Sequence, residues 1–581
     1  MTASHRFARP AQPAEKSIAI ATSDRTPKHH GRRHPASGNR APRLGLCFAI
    51  LASMTFAIAS SGLHAQTESE SPKASTSLGT VEGMRRENIE VFLGIPYALP
   101  PAGERRLAPP VEPGPWTEPL RATIPPSACP QLASPDPAGR ASSNEDCLYL
   151  NVWSPAPSSG AAARPKPVIV WIHGGGFVEG YGAATQYDAT HLATATDAVM
   201  VTVNYRVGAL GFLAASALDE ADARHVSGNY GLLDLQMALR WVAREIRAFG
   251  GDPGNVTVMG ESAGANAVLG LLASPGSDGL FQRAIVQSST DGAHTVPLER
   301  AERETYAHAL EEIGCASGAQ ALSCLRSART DSFLRMTVRP TLVQDGVVLP
   351  LDPFEAFQRG RFVKVPVLIG SNAKENYLFT ARTESDILKR AIVSSDIPGL
   401  LKASFGDRAD AVLAQYRPEA YVTPSALIGS ALTDRRFACM ANLARHALAA
   451  YVPVYGYQLD IADPVQQQPL VSGSDLPNLS YHTTDLGYIF NNDNDAHALS
   501  GRHAALSRMM VGYWSAFGAA GDPNARGNGL GEGPARLTWP RFIRDDLAIL
   551  SISDTPSVKR NFEEEHKCSF WEQSGLVAQT W

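Results

Sequence analysis

Val256 to Ala265 reads VTVMGESAGA, a serine with glycines two residues to either side, placed directly after a β-branched apolar run. A strand that turns sharply into a helix needs small flanking residues, because the turning residue takes strained backbone angles and leaves no room beside it. Val268, Leu269 and Leu272 continue after Ser262 at helical spacing. Ser262 is therefore expected at a strand-to-helix corner, with its Oγ exposed at the tip of a helix. On its own a GxSxG pentapeptide is weak, since a chain of this length should contain one by chance about one time in five.

Upstream, Val168–Ile172, Ala198–Val203 and Val256–Met259 are nearly continuous apolar runs, the pattern of strands buried on both faces. Between the second and third, Leu235, Leu239, Val242, Ile246 and Phe249 recur on one helical face, ending at a Gly250-Gly251-Asp252-Pro253 turn signal. Strand, helix, strand in that order predicts an α/β fold with a mostly parallel central sheet flanked by helices. Val365–Ile369 and Val454–Tyr457 read as later strands, each followed by a loop with ionisable residues. Ligands of such sheets gather at the carboxyl ends of the strands.

A serine hydroxyl needs a base for its proton, and the oxyanion formed on attack needs waiting donors. The run Trp171-Ile172-His173-Gly174-Gly175-Gly176-Phe177 follows a predicted strand, and its glycines let backbone N–H groups face one point. With these residues in place the chain resembles the type B carboxylesterase family, which includes the cholinesterases, within the α/β-hydrolase fold. The resemblance spans FLGIPYALPPAGERRLAPP (Phe92 to Pro110), Cys129-Pro130-Gln131, EDCLYLNV (Glu145 to Val152), HGGGF, NYRVGALGF (Asn204 to Phe212), GNYGLLDLQMALRWV (Gly228 to Val242), FGGDPGNVTVMGESAGA and YHTTDLGYIF (Tyr481 to Phe490).

The resemblance implies a central sheet with large loop and helical insertions, and hydrolysis of carboxylic esters by an acyl-enzyme route without metal or organic cofactor. It implies Ser262 as nucleophile, His482 of the YHTTDL block as base, and Glu375 of the loop after Val365–Ile369 as the acid. N–H groups of Gly175, Gly176 and Ala263 would form the oxyanion hole. The order Ser262, Glu375, His482 independently matches that of α/β-hydrolases. Asn376 and Ser289 stand where the family usually has glycine, so Asp485 and Asp291 are kept as fallback acids. Glu261 would face the gorge beside the triad. Alternatives are an amide, lactone or thioester hydrolase of the same fold, and a non-catalytic binding protein, which would be expected to have lost triad residues.

The 581 residues, 44% hydrophobic and 19% charged, suit a large soluble core. Residues 1–43 are basic, and the uncharged run Leu44–Leu63 followed by Ala65 reads as a secretory signal cleaved near Ala65, with an uncleaved anchor as the alternative. Residues 1–65 are thus an N-terminal extension and signal, and 66–581 one catalytic domain without repeats. Taking the nine Lys+Arg and two acids of residues 1–65 from 52 and 57 leaves 43 against 55, with no basic stripe, so nucleic acid is excluded as a partner. The expected partner is a small-molecule ester, in the periplasm or secreted, with no stable membrane association after cleavage.

Beyond Cys47, six cysteines remain, and an oxidising compartment favours disulfides. Short separations favour Cys129 with Cys147 and Cys315 with Cys324, pairings the resemblance also supports. Cys439 and Cys568 are left as a long-range pair or two free thiols.

Overall fold

The computed structural model describes residues 71–576 apart from 134–138, 157–163, 338–339, 471–472, 492–498 and 527–535. The signal segment expected in residues 1–65 lies outside the described residues. Ser69–Trp581 forms a compact unit.

Its centre is an eleven-stranded sheet made of β1 (Met84–Arg86), β2 (Ile89–Pro96), β3 (Tyr149–Pro155), β4 (Lys166–Ile172), β5 (Val199–Val203), β6 (Gly251–Glu261), β7 (Arg283–Gln287), β8 (Val367–Asn372), β9 (Val454–Leu459), β10 (Ile549–Ile552) and β11 (Ser557–Lys559). In space the order is β11-β10-β9-β8-β7-β6-β4-β5-β3-β2-β1. The seven strands from β5 through β10 pair in parallel, and both flanks are antiparallel. This is the α/β-hydrolase arrangement, a mostly parallel sheet with helices on both faces.

The continuous apolar runs are explained by two cores, one on each face. Val168, Val170 and Ile172 point to the face covered by α1 (Tyr230–Glu245), α2 (Ala263–Ala273) and α3 (Cys439–Ala449). Ile169 and Trp171 point to the other, where Met510, Trp514 and Phe517 of α4 (Gly501–Ala520) pack. Each such side chain contributes roughly 1.5–3 kcal/mol of burial free energy, and a one-residue slip of β4 would exchange its two faces, bringing Ile169 and Trp171 to where the smaller Val168 and Val170 pack.

The expected helix at Leu235–Phe249 begins five residues earlier, at Tyr230, and its last turn, Ile246–Phe249, tightens to 3₁₀. The Gly250–Pro253 turn signal is corrected: only Gly250, at φ 79°, turns, and β6 already starts at Gly251. Gly251 pairs with Lys166 across a register shift before Val168 meets Val256, and such an irregular strand start tolerates Pro253. The strand expected from Val365 starts only at Val367, just past Pro366, which lacks an N–H to donate.

Three disulfides form: Cys129–Cys147, Cys315–Cys324 and Cys439–Cys568. The third, left open by the sequence, ties α3 to the helix Cys568–Gln573 across 129 residues. Three disulfides fit an oxidising compartment. Among the described residues no helix is long and apolar enough to cross a membrane. Closing so long a loop restricts the unfolded chain most, so a Cys439→Ala, Cys568→Ala double variant is expected to lose about 2–5 kcal/mol in urea unfolding, with the midpoint moving and activity before unfolding retained.

Candidate active site

Because β4, β6 and β8 run parallel, their carboxyl ends deliver the glycine loop, Ser262 and Glu375 to the same edge of the sheet. Ser262 is the residue between β6 and α2, at φ 56° and ψ −124°. A side chain at such angles stores about 1–3 kcal/mol of strain, which the surroundings must hold. They do so by backbone bonds on both sides: Ser262 N donates to Gln287 O at 3.0 Å, and Ser262 O accepts from Asn266 N at 3.0 Å. The flanking glycines are required by space. A Cβ on Gly264 would lie 2.1 Å from Ile172 O, and one on Gly260 would lie 2.5 Å from the Gly264 carbonyl.

His482 arrives from the connection between β9 and α4. Two backbone bonds zip its loop to the glutamate loop, Lys374 N to Ser480 O at 2.8 Å and His482 N to Glu375 O at 3.2 Å. The imidazole then bridges two side chains. Nε2 is 2.9 Å from Ser262 Oγ, and Nδ1 is 2.7 Å from Glu375 Oε2. Glu375 is wholly buried, and its other oxygen accepts from Asn372 N at 2.6 Å. The Nδ1–H therefore points at the carboxylate and leaves the Nε2 lone pair for the serine hydroxyl. Glu261 Oε1 sits 3.3 Å from His482 Nε2.

The two fallback acids do not reach the imidazole by a hydrogen bond. Asp485 accepts from the Gln287 and Asn372 side chains. Burial, and next the neighbouring Glu375 carboxylate, push its carboxyl up to about 6. Asp291 is held by Arg435 and Arg436, each at 3.3 Å. Asn376, where the family usually has glycine, donates its N–H to Thr433 Oγ1 at 2.9 Å and leaves the Glu375 loop intact.

The glycine loop is pinned from several directions. Gly175 and Gly176 take φ 105° and 61°, and a Cβ on Gly175 would lie 2.3 Å from Glu179 O. Gly175 O accepts from the N–H groups of Val178 and Glu179. His173 is fully buried and stacks on Tyr205 with ring centroids 4.4 Å apart. Its Nδ1–H donates to Gly174 O at 2.8 Å, and burial pushes its pKa down to about 4, so it stays neutral and structural. Gln131 clamps Gly180 twice, donating to its carbonyl at 2.9 Å and accepting from its N–H at 2.8 Å. Cys129–Cys147 anchors the segment that carries this clamp.

Gly175, Gly176, Ala263, Ser262 and His482 line one cleft of about 340 Å³. Beside His482 its wall is aromatic and basic. Phe379 and Phe437 stack at 6.1 Å and flank the His482 ring at 5.0 and 5.1 Å, with Arg382 and Arg436 beside them. Sequence reasoning missed Gln131, Asn372, Arg382, Arg436 and both phenylalanines. Asn372 had a signal, since a polar residue at the end of a buried strand three positions before an acid needs a partner. The arginines and phenylalanines lie in helical insertions whose periodicity reports only packing.

Comparison with known proteins matches residues 70–571 to the Carboxylesterase family. The chain is similar to the para-nitrobenzyl esterase of Bacillus subtilis (strain 168), 30% identical over 86% of this chain and 98% of that one. It is 34% identical to the fumonisin B1 esterase of Sphingopyxis macrogoltabida over 84% of this chain and 88% of that one. A fatty acyl-CoA hydrolase precursor, medium chain, of Anas platyrhynchos is 31% identical over 87% and 93% respectively. A corner serine, a glycine loop and an eleven-stranded sheet thus sit inside a match that covers most of the chain, which belongs to the carboxylesterase family of α/β-hydrolases.

Proposed function

We propose that this carboxylesterase cleaves its substrate through an acyl-enzyme on Ser262, with His482 as general base and acid and Glu375 as the orienting carboxylate. The observation that carries the reading is the unbroken relay from Ser262 Oγ through His482 to Glu375, at 2.9 and 2.7 Å. As Oγ attacks the ester carbonyl, Nε2 takes its proton and Glu375 stabilises the imidazolium. Charge grows on the carbonyl oxygen, and N–H groups of Gly175, Gly176 and Ala263 meet it; each donor is worth about 3 kcal/mol in the transition state. The imidazolium then protonates the departing alcohol. Water repeats the steps in reverse roles and frees the acid.

The reading extends to the chain's organisation. Residues 1–65 act as an N-terminal extension and export signal cleaved near Ala65, and 66–581 act as one catalytic domain in the periplasm or outside the cell. The substrate is a small-molecule ester. Protein starting at residue 66 is expected to hydrolyse 4-nitrophenyl esters with an initial burst of one nitrophenolate per chain. A fluorophosphonate should form an Oγ–P bond on Ser262 with loss of fluoride, adding the mass of the reagent less HF to the peptide containing Ser262, and stop turnover. Labelling of a different residue with loss of activity overturns the assignment.

A further inference from the structure

Around the cleft, the charges are not spread evenly. Glu261 faces His482 and Glu179 lies against the glycine loop, whereas the basic residues collect on the Phe379 and Phe437 wall. Arg382 and Arg436 each hold a guanidinium carbon 5.9 Å from the Phe379 ring centroid, and Arg436 also lies 5.8 Å from Phe437. Planar guanidinium groups stacked on rings are held in place with their edges free to donate. Phe379 also touches the catalytic imidazole, so the arginine pair stands one aromatic ring from the reacting atoms.

The cleft's carboxylates leave donors of this pair unused. Asp291 serves Arg435 and Arg436 together, one carboxylate between two guanidinium groups. Arg436 gives Asp291 only its Nε, at 3.3 Å, and among the described residues its Nη groups have no hydrogen bond. Arg382 has no acidic partner among the described residues and gives one Nη donor to Gln468 Oε1 at 3.0 Å. Two part-buried guanidinium groups that line a substrate cleft with donors unspent, over an apolar floor, form a receptor for a planar anion. The bidentate fork matches a carboxylate.

We propose that the Arg382–Phe379–Arg436 wall binds a carboxylate of the substrate, so that the preferred ester carries a free acid group a few bonds from its scissile carbonyl. This rests on the acyl-enzyme reading above and adds the substrate class. The carboxylate is desolvated between guanidinium groups while the carbonyl lies over Ser262, so the contact raises kcat/KM rather than changing the chemistry. A carboxylate can come from either half of the ester. Pair one compares 4-nitrophenyl hydrogen adipate with 4-nitrophenyl hexanoate, which places the acid in the acyl half. Pair two compares 4-carboxyphenyl acetate with 4-carbamoylphenyl acetate, which places it in the leaving alcohol.

The expected result is a kcat/KM at least tenfold higher for the acidic member in one pair, weakening as salt rises from 0.05 to 0.5 M, and the pair that responds identifies the half. Arg436→Gln and Arg382→Gln should each cut that acidic-to-neutral ratio about tenfold. Arg436→Lys should restore part of it, and Arg329→Gln, an exposed arginine away from the cleft, should leave the ratio unchanged. Active enzyme that cleaves both neutral esters with ratios at or below one overturns the carboxylate proposal and leaves the esterase reading standing. No turnover of any of the four esters by folded protein overturns the esterase reading instead. A ratio unchanged in both Gln variants, with thermal midpoints near wild type, also overturns the proposal.

Discussion

Ser262→Ala is expected to lower kcat on a 4-nitrophenyl ester by about 10⁵–10⁶-fold while the thermal midpoint stays within about 2 °C of wild type. The size follows from the proposed covalent route, in which without Oγ no acyl-enzyme can form and only the proposed oxyanion donors and binding remain. The unchanged midpoint follows from the corner geometry. Alanine keeps the same Cβ and must occupy the same φ of 56°, so the strain is neither added nor relieved. The one interaction lost is the hydrogen bond from Oγ to His482 Nε2. Kinetics and differential scanning fluorimetry on the same preparation check both halves, and retention of more than about 1% activity would falsify the nucleophile assignment.

Glu375→Gln is expected to cost about 10⁴-fold in kcat, for a reason specific to this loop. Oε1 of Glu375 accepts from Asn372 N at 2.6 Å, so in the glutamine variant the amide oxygen must take that position. The amide NH₂ then faces His482 Nδ1, which turns that nitrogen into an acceptor and moves the ring proton to Nε2. A protonated Nε2 has no lone pair for the serine. Asp485→Asn and Asp291→Asn are expected to lose no more than about tenfold, since neither carboxylate hydrogen-bonds the imidazole. A loss in Asp485→Asn equal to that in Glu375→Gln would move the acid to Asp485.

The parallel sheet was legible in Val168–Ile172, Ala198–Val203 and Val256–Met259 because a strand buried on both faces has no polar side, and the β-branched content of these runs separates them from a buried helix such as Ala263–Ala273. The boundaries were less so. Gly251 to Pro253 reads as a turn locally, yet β4 offers it a pairing partner, and partner availability is not a local property. In the same way nothing near Cys439 or Cys568 announces their bond, which depends on two helices 129 residues apart meeting.

The sequence by itself determined the corner at Ser262, through an apolar β-branched run, glycines two residues either side of the serine and a helical apolar pattern after it, and it placed Ser262, Glu375 and His482 in an order the fold can use. Tertiary structure alone decided which carboxylate meets the imidazole, because Glu375 lies in the turn after β8 and Asp485 in the helix Thr484–Phe490 just past His482, and the backbone zipper between Lys374 and Ser480 sets which of them reaches it. It alone also gathered Arg382, Phe379, Phe437 and Arg436 onto one wall of the cleft. Residues from separate helical insertions share a surface only when the sheet beneath them is folded, and no periodicity in the chain records that meeting.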